Sequence, residues 1–281
     1  MNTMRKLREY LNRPLSFVMF LLIIISTVIT AFTVVFIIGY IFIKGVPNLS
    51  LDLFSLKYSS SNQSMLPSII NTVYLTALTL LLSVPIGIFS AIYLAEYSRK
   101  NSFFVKIINI ANETLSGIPS IVYGLFGFLA FVISKKWGYS LLAGVITLAI
   151  MVLPLIIRTS QEAMLGVDNT FREASYGLGA GKLRTVFKIV LPSAMPGILS
   201  GIILAIGRIV GETAALIYTA GTVPEAATKL TSSSRTISVH LYCLLNEGLY
   251  TEQAYATAVV LIVFVVIINA LSNAFAKKIM K

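Results

Sequence analysis

The 281-residue chain is poor in the residues that soluble chemistry draws on. It has one cysteine, Cys243, so no disulfide forms within the chain. It has one histidine, His240, so a His/Cys zinc site has too few ligands and a His-dependent triad has one candidate base. Charge is scarce too: Asp, Glu, Lys and Arg make up 12% of residues, against about 25% in an ordinary soluble domain. Acidic residues are scarcest, 11 against 22 Lys and Arg, leaving +11. Such a surface cannot be coated with charge, so a soluble enzyme is excluded. Disorder is excluded by the same apolar content.

What is present is apolar: 57% of residues, with a mean hydropathy of +0.87. Runs without Asp, Glu, Lys or Arg cover 14–43, 58–95, 114–134, 137–157, 189–207 and 253–276. A membrane helix needs about 20 such residues. The pattern predicts an all-α polytopic membrane protein with about six transmembrane helices, at 15–43, 69–95, 107–133, 139–158, 197–220 and 255–275.

The basic excess reads as topology. With both termini cytoplasmic, fifteen Lys and Arg fall inside, among them Arg5, Lys6, Arg8, Arg13, Arg99, Lys100 and Lys281, six fall outside, and Arg208 lies within a span. Basic residues favour the cytoplasmic side, so this orientation is expected and a nucleic-acid patch is not. The organisation is then an N-terminal cytoplasmic segment 1–14, a first helix 15–43, an external loop 44–68, a core 69–275 and a tail 276–281. Within the core lie a cytoplasmic loop 159–196 and an external segment 221–254. The first apolar run is too long for a signal-peptide core, and the helix is read as retained. Pro85, Pro119 and Pro154, with Gly87 and Gly117 nearby, predict kinks within spans two to four.

Two places carry chemistry. Arg208 and Glu212 stand four apart in span five, on one face of an unbroken helix. Charges in the bilayer core cost at least about 2.5–3.5 kcal/mol each, so they pair with one another or line a pathway. Span three opens with Glu113, Ser116, Gly117, Pro119 and Ser120, a carboxylate and hydroxyls at a helix break. Free backbone N–H groups at such a break bind oxyanions, although packing through small residues explains them equally.

In the cytoplasmic loop, Val167, Phe171, Ala174 and Leu178 fall on one helix face. Thr170-x-x-Glu173 has capping-box spacing, so Glu173 has a purely local reading, and a short amphipathic helix also suits the membrane surface. The stretch Glu173-Ala174-Ser175, then Gly179, then Ile189-x-Leu191-Pro192 resembles the EAA loop of membrane subunits of ATP-binding-cassette importers, with Ser175 in place of the second alanine. That resemblance implies docking to an ATPase subunit through Phe171, Glu173, Ala174, Ser175, Leu178 and Gly179. Gly177 to Leu183 imitates a phosphate-binding loop but has Tyr176 and Leu183 where glycine and a hydroxyl residue are needed.

Gly117-Ile118-Pro119-Ser120 to Leu125 and Gly207-Arg208-Ile209-Val210-Gly211-Glu212-Thr213 resemble the two signature stretches of phosphate-importer permeases. The sequence from Val239-His240-Leu241-Tyr242 to Gly248 is nearer the A-type than the C-type subunit. The resemblance implies a transport subunit with no nucleotide or other cofactor of its own, ATP and Mg being held by two partner ATPase subunits. It also implies a C-type permease partner, an extracytoplasmic phosphate-binding protein, phosphate as substrate and a bacterial or archaeal cell membrane. The expected pathway residues are Arg208, Glu212, Thr213, Glu113, Ser116 and Ser120, with Glu212 or Glu113 accepting the hydroxyl proton of hydrogen phosphate. Molybdate or sulfate importers, an ion-coupled secondary transporter and a non-transporting scaffold are the alternatives.

Overall fold

The computed structural model describes residues 14–98 and 102–279. Residues 1–13, 99–101 and 280–281 lie outside them, and with them Arg5, Lys6, Arg8, Arg13, Arg99, Lys100 and Lys281 of the orientation count. Among the described residues the regular structure is all helical. The helices are α1 Pro14–Gly45, α2 Leu66–Ile92, α3 Phe103–Gly117, α4 Ser120–Gly127, α5 Leu141–Leu165, α6 Asn169–Gly177, α7 Lys182–Thr185, α8 Leu191–Gly211, α9 Ala214–Thr219, α10 Ile237–Glu247 and α11 Thr251–Ile279. Wider π-helical turns extend α2 (Tyr93–Tyr97) and α4 (Phe128–Ser134) and join α7 to α8 (Val186–Val190).

Five helical stretches are long and apolar enough to cross a membrane: Leu15–Asn48, Leu66–Tyr97, Leu141–Leu165, Lys182–Gly211 and Thr251–Lys278. The sequence predicts a sixth over 107–133, and here the chain departs from a single rod. α3 and the α4 stretch meet at Ile118–Pro119 with a bend of 100°. Proline lacks the N–H needed to continue α3, and the residue before it is driven to extended backbone: Ile118 has φ −71° and ψ 131°. The Tyr123 hydroxyl donates to the Leu115 carbonyl at 2.8 Å and braces the corner. Pro85 and Pro154, in contrast, are carried inside α2 and α5.

α5 is the central post. Its most apolar stretch is 67% buried by protein, whereas that of α1 is 0% buried. α2 and α8 both pack on α5 and touch each other, α4 packs on α9, and α1 meets α11. The main core joins Leu75 of α2, Leu148, Met151, Val152 and Ile156 of α5, Ala205 and Ile209 of α8, and Ala215 and Leu216 of α9. In lipid, helices associate through close packing rather than by escaping water, so small residues matter at contacts. A Cβ on Gly124 would stand 2.8 Å from the Ala215 Cα, and one on Gly87 would stand 2.6 Å from the Ile156 side chain. A second core, with Ala91, Ile92, Met164, Val186, Val190 and Ile198, closes the end of the bundle beside α6.

Candidate functional site

At the C-terminal end of α8 the helix stops at Gly211. Glu212 is already extended, with φ −71° and ψ 129°. The expected i, i+4 face shared by Arg208 and Glu212 therefore does not form, because only Arg208 is in the helix. Glu212 is 8% exposed, and its Oε1 accepts the Ala215 N–H at 3.1 Å, capping α9. Its carbonyl accepts the Ser238 hydroxyl at 2.7 Å, tying the break to α10. Thr213 reaches only the Gly211 carbonyl, at 3.4 Å.

Arg208 is half-buried and lines a cleft of about 640 Å³ with Leu155, Ser200, Ile203, Leu204, Gly207, Asn269 and Asn273. Among the described residues the ion pairs are Arg158–Glu162 and Arg172–Glu96, and no hydrogen-bond acceptor meets the Arg208 guanidinium. Asn269 and Asn273 are four apart on α11, so both amides fall on one helix face. The cleft thus gathers a free planar cation, two amides and a hydroxyl in an apolar frame. That set suits a small anion: a guanidinium fork binds an oxyanion in two parallel bonds, and amides and hydroxyls satisfy its remaining oxygens. Sequence reasoning missed Ser200, Asn269 and Asn273. The available signal was neutral amides in a run otherwise rich in Val, Ile and Phe.

The remaining expected pathway residues lie apart from this cleft. Glu113 is exposed and lines a separate cavity of about 230 Å³ with Asn109, Asn112, Arg158, Gln161, Glu162 and Leu165. Ser116 bonds back to the Asn112 carbonyl at 2.8 Å, and Ser120 opens α4 beyond the Pro119 corner.

The loop after α5 forms the short helix expected there. Its cap is Asp168 rather than Thr170: the Asp168 carboxylate accepts the Thr170 N–H at 2.9 Å and the Thr170 hydroxyl at 3.0 Å. Those bonds hold the Asp168 pKa below the usual carboxylate value. Glu173 and Ala174 are exposed, and so are Phe171 at 55% and Leu178 at 90%. Ser175 is buried, and its hydroxyl lies 2.8 Å from that of Thr185. Gly179 takes φ +81°, a left-handed turn that suits glycine. α6 therefore presents apolar side chains outward.

The segment after α9 is folded down rather than looped out. Residues 234–240 are buried. Asn71 of α2, itself 0% exposed, accepts the Ala227 N–H at 2.8 Å and donates to the carbonyls of Glu225 at 2.9 Å and Arg235 at 3.2 Å. Thr72 accepts the Ile237 N–H at 3.0 Å. Arg235 lies over the Tyr58 ring at 4.7 Å, and His240 packs edge-on to that ring. The exposed positions of this segment are 222–223, 225, 228–231, 242, 245–249 and 251–252.

Residues 83–281 match the family described as the binding-protein-dependent transport system inner membrane component. The chain is 32% identical over 279 residues to the phosphate transport system permease protein PstA of Haemophilus influenzae, covering 98% of each. It is 32% identical over 249 residues to the probable ABC transporter permease protein YqgI of Bacillus subtilis, covering 82% of this chain and 84% of that one. In fold it is similar to a subunit of a bacterial alginate ABC transporter in complex with its periplasmic protein, with a TM-score of 0.68 at 18% identity over 98% of each chain. The MetNI methionine ABC transporter in an inward-facing conformation gives a TM-score of 0.58 at 17% identity, over 76% of this chain and 94% of that one.

Proposed function

This chain belongs to the binding-protein-dependent transport system inner membrane components, and from that membership we propose that it is the A-type permease subunit of a phosphate importer. It is a multi-pass inner-membrane permease component of an ABC importer, whose partners include ATPase subunits and a substrate-binding protein. The choice of phosphate rests on the likeness to PstA along nearly the whole chain. The observation that carries it in the geometry is Arg208: a cation among membrane spans, beside amides and a hydroxyl, with no protein acceptor among the described residues. A charge so placed is stabilised by a counter-ion. In this reading the counter-ion is the substrate in transit.

Both termini are assigned to the cytoplasm, which puts α6 there and the 221–254 segment outside. The binding protein delivers phosphate over the exposed stretches 222–223, 228–231 and 245–249 and the exposed part of 44–68. Phosphate then meets Arg208, with Asn269 and Asn273 supplying hydrogen bonds and the Ser200 oxygen, whose own O–H goes to the Pro196 carbonyl at 2.9 Å, accepting one. A C-type permease completes the cleft. Nucleotide and Mg are assigned to the ATPase subunits, and no bond chemistry to this chain. Phe171, Ala174 and Leu178 dock on an ATPase subunit with Glu173 at the rim, while Ser175 and Gly179 shape the helix and its exit.

Glu212 is assigned a structural role, since its carboxylate caps α9, and Glu113 a place at the cytoplasmic cavity rather than at the anion. The test is uptake of labelled phosphate by proteoliposomes holding the full complex, with sulfate and molybdate as competitors. Phosphate uptake that resists both competitors is expected. Uptake of sulfate or molybdate in place of phosphate overturns the assignment.

A further inference from the structure

α6 is held by more than its connections. Arg172, on its inner side, brings Nη2 to 2.7 Å and Nε to 3.1 Å from Oε1 of Glu96. The two side chains are 13% and 6% exposed. The same guanidinium donates to the Met164 carbonyl at 2.8 Å and to the Val167 carbonyl at 2.7 Å, at the end of α5. Glu96 stands in the π-helical turn that ends α2, a local widening that often marks functional positions. A second link joins the same turn to α7, where the Lys182 ammonium lies 4.9 Å from the centre of the Tyr97 ring.

α2 runs from that turn to the opposite end of the bundle. There Asn71 and Thr72 hold the backbone of 225–237 through the four bonds described above. Asn71 and Glu96 are 25 residues apart, about 38 Å at the helical rise. One helix thus carries a buried ion pair to α6 at one end and a buried amide clamp on the outer segment at the other. Along its length it is locked to α5 by the close approach of Gly87 to Ile156. α2 carries Pro85 within it yet stays helical between the two contacts, and a continuous helix fixed at both ends passes displacement from one to the other.

We propose that α2 is the transmission rod of this permease, with Glu96–Arg172 the positioning pair that joins it to the ATPase-facing helix and Asn71 the residue that joins it to the binding-protein side. The inference rests on the docking role assigned to α6. It places the signal that a loaded binding protein has arrived on one helix, from 225–237 through Asn71 to Glu96 and Arg172.

The test uses the complete complex in lipid nanodiscs and reads ATP hydrolysis with and without phosphate-loaded binding protein. The wild type is measured first: no stimulation there refutes the phosphate reading, whatever the variants do. Glu96→Gln and Asn71→Ala are each expected to cut the stimulation at least tenfold, with ATPase subunits still co-purifying. The double variant should be no worse than the more severe single, because both cut one path. Glu96→Asp, which keeps a carboxylate for Arg172, should retain at least half of the wild-type stimulation. Full stimulation in either single variant overturns the proposal, and so do effects that multiply in the double. If a single variant does not assemble, Arg172→Lys, which keeps the charge and loses the paired bonds, decides: lost stimulation supports the rod, and full stimulation or failed assembly overturns it.

Discussion

Replacing Glu212 separates a cap from a substrate ligand. Its Oε1 accepts the N–H of Ala215, a wholly buried residue, at 3.1 Å. Glutamine keeps an acceptor oxygen at that position and removes the charge. Alanine removes the acceptor and leaves the N–H orphaned. Losing a cap costs about 0.5–2 kcal/mol, and an unsatisfied buried donor costs about 1–3 kcal/mol. These are two views of the same bond, so the expected loss for Glu212→Ala is about 1–2 kcal/mol, where the two ranges overlap. At roughly 2–4 °C per kcal/mol for a large domain, the melting temperature should fall by about 2–8 °C. Glu212→Gln should lie within about 2 °C of the wild type by the same scaling. Both are read by thermal melting of the purified complex followed by size-exclusion chromatography, with phosphate uptake measured alongside. Gln should preserve uptake and Ala should lower it in step with the amount of folded protein. The reasoning is refuted if Glu212→Gln melts like the wild type yet abolishes uptake, for then the negative charge itself serves transport.

Arg208→Ala leaves no protein group unpaired, so assembly and melting should be unchanged; the half-saturating phosphate concentration should rise at least tenfold, since a charge-assisted bond contributes about 1.5–3 kcal/mol, and unaltered uptake would remove Arg208 from the pathway. Leu178→Asp, at a residue 90% exposed, should leave this chain stable but weaken recovery of the ATPase subunit roughly tenfold or more, the scale of one buried leucine contact; normal recovery would argue against docking there. His240, in the non-spanning helix α10, has its pKa lowered to about 3 by burial, with the Arg235 charge adding to the effect. Its folded pKa lies below the unfolded value near 6.5, so the stability from keeping it neutral is complete above pH 6.5 and is lost as pH falls towards 3, at up to about 1.4 kcal/mol per unit. His240→Gln should flatten that acid limb between pH 6.5 and 5 in a melting series, and an unchanged slope would refute it.

The membrane class and most spans were legible because a bilayer demands long charge-free runs, and α1, α2, α5 and α11 answer to them directly. The α6 helix was legible from its four apolar positions and the Glu173–Gly179–Pro192 spacing. The breaks at Ile118–Pro119 and Glu212–Thr213 were not fully legible. Hydropathy is blind to direction, and it runs smoothly through a 100° corner. The i, i+4 spacing of Arg208 and Glu212 has meaning only if the helix continues, and Gly211 ends it. Asn269, Asn273 and Asn71 escaped because a scan for charge passes over neutral amides, although a buried amide such as Asn71 must find partners just as a charge must. Glu96 and Arg172 are 76 residues apart, and nothing local in either segment announces the other.

The central claim is that the Arg208 cleft carries the substrate, and accessibility during turnover tests it most directly. Single cysteines at Ser200 and Asn273, in a Cys243→Ser background, are treated with a small charged thiol reagent in proteoliposomes importing phosphate. Modification should block uptake, and saturating phosphate should slow modification at both positions. Complete modification that leaves uptake intact and is indifferent to phosphate would place the pathway elsewhere.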